Sequence, residues 1–84
     1  MKNINNNKEQ VEVMALFGYE MTPCRPLTFK RRGEKTEVEV TELLQTKIRF
    51  AGNAAIHIFD VVADKTHYVL EFNSLDLAWS ITRA

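Results

Sequence analysis

From Pro26 onward, apolar and polar residues alternate with a period of two, the pattern of strands that bury one face. Leu27 and Phe29 share a face, as do Val38 and Val40. Between them Gly33-Glu34 reads as a two-residue hairpin loop with glycine first, the type II′ form. That register sets Phe29 opposite Val38, Leu27 opposite Val40, Thr28 opposite Glu39 and Lys30 opposite Glu37. A register two residues longer at the turn keeps the same faces and pairs Lys30 with Glu39 and Arg32 with Glu37. Gly52-Asn53 reads as a further tight hairpin, placing Phe50 beside Ala55 and Ile48 beside His57. A turn at Asp64-Lys65 sets Val61 opposite Tyr68, Phe59 opposite Leu70 and His57 opposite Phe72. One apolar face then runs through all these strands, and turn chemistry that agrees with hydrophobic pattern supports both.

Other segments are less regular. Val38 and Val40 assign Glu42 to the core face, and a bulge near Thr41 to Leu43 would correct the phase and bend the sheet. Leu75, Leu77, Trp79 and Ile81 alternate with polar or small residues and predict a last strand, a short helix capped by Ser74 being the alternative. Val11 to Phe17 is β-branched at first and then continuously apolar, which suits either a strand or a short helix. Pro23 and Pro26 follow; they force an extended or turning path and forbid a central strand there. Residues 1–10 are polar and asparagine-rich and read as a disordered tail, leaving 11–84 as one small domain. The fold class is all-β: an antiparallel meander of about five or six strands, strongly curved or partly closed into a barrel.

Composition narrows the functions. A chain of 84 residues makes one small core, and a domain of this size buries only about 60–65% of its unfolded surface, so self-association would help it. Lys plus Arg and Asp plus Glu both number 11. Nucleic-acid binding draws most of its non-specific affinity from excess positive charge, so this balance argues against that class. Cys24 is the sole cysteine, which excludes an internal disulfide and a Cys-x-x-Cys zinc site and fits a reducing compartment. No apolar run follows the lysines of Met1 to Gln10, and none approaches the ~18 residues of a membrane span, so a soluble cytoplasmic protein is expected.

The stretches "PLTFKRRGEKTEVEV", "IFDVVADKTHYVLEFN" and "LAWSI" resemble those of small bacterial β-meander domains of unknown function. The features that carry the likeness are Pro26, Phe29, Gly33, Val38, Phe59, Val61, Asp64, Tyr68, Leu70, Phe72 and Trp79. Thr36 stands where an aromatic is usual, and Gln45 where a Trp follows Leu44's position. The resemblance implies the fold and brings no activity with it.

Each candidate for chemistry has a plainer reading. Cys24, with Arg25 beside it, is the strongest nucleophile, yet no local signature supplies a general base, and a packed loop thiol is simpler. His57 and His67 fall on opposite faces of the same sheet, so no metal can bridge them. Asp60 opposite Val69 and Glu71 opposite Ile58 are solvated acids rather than a catalytic pair. Phe29, Phe50, Phe59, Tyr68 and Phe72 belong to the core face and are spent on packing, which leaves only Tyr68 or Trp79 near a rim where a base could stack.

What remains is a surface. Ile56, Ile58, Val62 and Val69 lie on the second face, beside Lys47 and Arg49, and an apolar second face is normally covered. Val11 to Phe17 is the nearest cover, and a second copy of the chain is the alternative. The expectation is a non-enzymatic module for protein interaction or self-association, possessing no cofactor or metal, with a homodimer as the simplest partner. The rival is a nucleic-acid module using Arg25, Lys30, Arg31, Arg32 and Lys35, whose charge the facing glutamates would reduce.

Overall fold

In a computed structural model, residues 8–18 and 21–84 are described, and the regular elements they form are all strands. The strands are β1 (Glu9–Gly18), β2 (Met21–Arg31), β3 (Val38–Ala51), β4 (Ala54–Ala63), β5 (Thr66–Asn73) and β6 (Ala78–Arg83). All neighbours are antiparallel, and the order β1-β2-β3-β4-β5-β6 closes into a barrel when β1 meets β6. Residues 1–7 of the expected tail lie outside the described residues, whereas Glu9 and Gln10, also read as tail, pair with Ile81 and Ser80.

The turns set the registers. Gly52, at φ +62, opens the Gly52-Asn53 loop as a type II′ turn requires, and it fixes Phe50 opposite Ala55 and Ile48 opposite His57. Asp64 and Lys65 both have positive φ, the type I′ form, and this locks Val61 to Tyr68, Phe59 to Leu70 and His57 to Phe72. The basic hairpin keeps the expected pairs of Phe29 with Val38 and Thr28 with Glu39, but its turn differs. Glu34 N–H donates to the Arg31 carbonyl at 3.0 Å and Gly33 has φ +85, so glycine occupies the third position of a type II turn. A looser connection then runs to Val38.

The core lies inside the barrel. Phe29, Phe59, Val61, Ala63, Leu70 and Ile81 are fully enclosed, and Phe59 stacks on Trp79 at 5.7 Å. Burying a side chain of this kind contributes about 1.5–3 kcal/mol, which is where a small barrel gets its stability. The bulge expected near Thr41 is present: Val40 pairs with Ala63 and Glu42 with Val62, leaving Thr41 extra, and a second shift at Leu44 reverses the phase again. Val40 and Leu43 therefore both pack on the core while Glu42 stays in water.

Several expectations are corrected. Val11 to Phe17 is a strand, but it is a stave of the barrel between β2 and β6 rather than a cover over the second face. Leu27 does not face Val40. The β1–β2 register jumps from Met14–Thr28 to Ala15–Pro26, so Leu27 is extruded and Pro26 takes the buried position. Leu75 and Leu77 are exposed, because the final strand begins only at Ala78; the Asn73 and Asp76 carboxamide and carboxylate accept from the Leu75 and Ala78 amides and hold a turn there. Phe50, expected on the core face, is 77% exposed.

Candidate functional site

The barrel is held at two short seams. β1 and β6 share the pairs Glu9–Ile81 and Gln10–Ser80, and β2 and β3 share only Thr28–Glu39 and Phe29–Val38. The second seam is short for a reason visible in the sequence. Pro23 and Pro26 have no amide hydrogen, so the early part of β2 is a poor ladder partner; it pairs with β1 alone. Among the described residues β3 has no partner beyond Glu39 on that side and continues to Ala51 paired with β4 alone.

Among the described residues, this leaves one end of the barrel open and one strand edge bare. Leu44, Ile48 and Phe50 on β3 are exposed, and so are Leu16 and Phe17 at the end of β1. Ile48 and Phe50 point to the same side as Phe59 and Val61, yet among the described residues no strand pairs with β3 opposite them. Phe17 reaches over Phe72 edge-on at 6.0 Å, and His57 lies 6.2 Å from the same ring. The His57 Nδ1 is enclosed and has no hydrogen-bond partner among the described residues.

The direction of the bare backbone follows from the Gly52-Asn53 turn. Ala51 and Ala54 flank a two-residue loop and so exchange both ladder bonds, and in an antiparallel ladder such pairs recur at every second position. Arg49 and Lys47 therefore turn their backbone groups to β4, while Phe50, Ile48 and Thr46 turn theirs to the open edge. Ala55 shows the same phase from the other side: its amide donates to the Ser74 hydroxyl and its carbonyl accepts from the Ser74 amide, each at 3.0 Å, away from Phe50.

The surface expected from the sequence is less apolar than the pattern implied. Ile58, Val62 and Val69 are half-buried on the outside of β4 and β5, and Ile56 is buried. Charged residues interrupt them in the ladder: Ile58 faces Glu71, Asp60 faces Val69, and Val62 faces His67. Glu71 holds both Lys8 at 3.0 Å and Arg49 at 3.5 Å, and His67 stands 3.8 Å from Asp60. Ile56 lines the same groove as this Lys8–Glu71–Arg49 cluster.

Two of the five candidate basic residues are engaged in ion pairs. Lys30 pairs with Glu12 and Arg31 with Glu9, both at 3.8 Å, so the acids that meet the run come from β1 rather than from β3. Glu37 instead accepts from the Thr28 hydroxyl at 3.3 Å. Arg31 also lies over the Tyr68 ring at 5.7 Å. Arg32 and Lys35 are exposed at the turn, and Arg25 is exposed on β2 opposite Leu16, apart from the others. An open groove gathers Lys30, Arg31 and Arg32, but Glu12 and Glu34 line it too.

Cys24 is 2% exposed and packs into the core, and burial pushes its thiol above the ordinary value. A nucleophilic cysteine needs the opposite shift. His57 and His67 do fall on opposite sides of the sheet, through their pairings with Phe72 and Val62. Among the described residues, no three His, Cys, Asp or Glu side chains gather in a way that could hold a metal ion, and no helix is long and apolar enough to cross a membrane.

Fold and site together define a small six-stranded antiparallel barrel with, among the described residues, one open end and one unpaired strand edge. No protein-family model matches the chain, and neither the curated proteins nor the solved structures yield a significant match.

Proposed function

We propose that this chain is a non-enzymatic protein-interaction module that receives an extended partner strand along β3. The observation that carries the reading is the segment Glu42 to Ala51. Among the described residues it is laddered to β4 on one side only, and it exposes Leu44, Ile48 and Phe50 at the mouth of the barrel. An edge of unpaired donors and acceptors beside exposed apolar side chains is what strand addition uses: the backbone supplies affinity and alternate side chains supply selectivity. The likeness to small bacterial β-meander domains adds fold and no activity, and the soluble cytoplasmic setting expected from the sequence is part of the proposal.

Nucleic-acid binding has weaker support, since Lys30 and Arg31 already face Glu12 and Glu9 and the chain has no net charge. The test is a selection of displayed random peptides against the whole chain, followed by amide mapping of the winners. Enriched sequences should alternate apolar and polar residues and shift Thr46, Ile48 and Phe50. Failure to enrich any peptide, or a titration with an oligonucleotide that shifts Lys30 to Lys35 at low salt, would contradict it.

A further inference from the structure

The charges of β3 are ordered along this edge. After the bulge at Leu44, the residues of β3 that face outward are Gln45, Lys47 and Arg49; before it, Glu42 faces outward opposite Val62. Neither Glu42 nor Lys47 has an ion-pair partner among the described residues. A negative charge thus stands at one end of the bare edge and positive charges at the other.

We infer that the strand received by this edge is the β3 strand of a second copy of the same chain, paired antiparallel about a two-fold axis through the middle of the segment. The inference rests on the interaction-module reading and names its partner. Antiparallel pairing brings each Glu42 toward the Lys47–Arg49 end of the other copy, so the same attraction occurs twice. Parallel pairing would set like charges side by side, which is unfavourable in a sheet. Edge lysines usually deter such pairing; here Lys47 is matched by Glu42 and selects the orientation instead. The inward side chains fit as well. Ile48 and Phe50 of one copy approach Leu44 and Leu43 of the other and would cover apolar surface that the barrel leaves in water. The unpaired N–H and C=O groups of Thr46, Ile48 and Phe50 gain partners in the same step. A two-fold contact of this type is self-complementary, closes at two copies and joins two barrels through one continuous sheet.

Light scattering on a size-exclusion column over a wide concentration range tests this with the full chain. The mass should rise from 9.7 kDa toward twice that value. Thr46→Pro removes an outward amide without taking a bond from the β4 ladder, so it should remain monomeric at every concentration with an unchanged circular dichroism spectrum. Lys47→Glu should weaken association about tenfold, and adding Glu42→Lys should restore it, since the swapped pair is again complementary. A wild type that stays monomeric overturns the inference. So does a dimer indifferent to both Thr46→Pro and Lys47→Glu. If the wild type is monomeric but still selects extended peptides at Thr46 to Phe50, self-pairing alone is wrong; if it selects none, the module reading falls with it.

Discussion

Phe59 and Phe50 lie on the same side of the β3–β4 hairpin, yet one is 0% and the other 77% exposed. Phe59 sits where β5, β6 and the Phe29 end of β2 close around it; Phe50 sits where β2 has left the ladder. What separates them is the partner across the barrel. A closed region needs every neighbouring strand to supply amides, and β2 stops doing so where its prolines begin. An inward-facing position is buried only where the opposite wall reaches it.

That contrast can be broken most forcefully inside the closed region. Phe59→Ala should cost about 3–5 kcal/mol in denaturant unfolding, because the cavity left against Trp79 and Leu70 has no room to collapse. Phe50→Ala, measured in dilute solution where the chain is monomeric, should change stability by no more than about 0.5 kcal/mol. Equal losses at the two sites would show that the open end is closed in solution.

The turns sharpen the contrast at smaller amplitude. Gly33 has φ +85, so Gly33→Ala should destabilise by about 1–2 kcal/mol although nothing lies within 4 Å of the added Cβ. Lys65, at φ +59, is the converse case. Lys65→Gly creates the Asp-Gly pair that type I′ turns favour and should stabilise the β4–β5 hairpin by about 0.5–1 kcal/mol. Thermal or urea unfolding of the pair measures both signs.

Cys24 reports on the closed region by chemistry. Its thiol should react with a soluble disulfide reagent slowly in the native state and quickly in urea. Burial raises its folded pKa above the ordinary 9.0. The unfolded chain therefore loses its thiol proton first as pH rises. The stabilising contribution is complete below about pH 9 and is lost as pH climbs through the folded value. A Cys24→Ala variant should lack that alkaline component; identical pH profiles for the two proteins would contradict it.

Much of the closed region was legible in the sequence, because turn residues with special φ preferences pin the register. Gly52-Asn53 and Asp64-Lys65 fixed three strands, and Phe59, Val61, Leu70 and Phe72 followed by alternation. The Thr41 bulge showed itself as a polar residue out of phase. The open end was not legible for the same reason that alternation works at all: it assigns a side, and it is silent on what stands opposite. Phe50 and Leu27 were misplaced on that account, one by a missing wall and one by a bulge at Pro26 that no alternation signals. The outer face of Ile56, Ile58, Val62 and Val69 drew attention as apolar, but the cross-strand placement of Glu71, Asp60 and His67 that interrupts it emerges only once the ladder is drawn. The edge itself left one clue, the prolines of β2, which say where a ladder must stop.

Amide hydrogen exchange along β3, measured residue by residue at high dilution and again at high concentration, tests the bare edge most directly. In dilute solution Lys47 and Arg49 should be protected by their bonds to β4 while Thr46, Ile48 and Phe50 exchange freely, and concentration should then protect those three. Uniform protection of all five in dilute solution would contradict the account, since it would mean that the edge is already paired within a single chain.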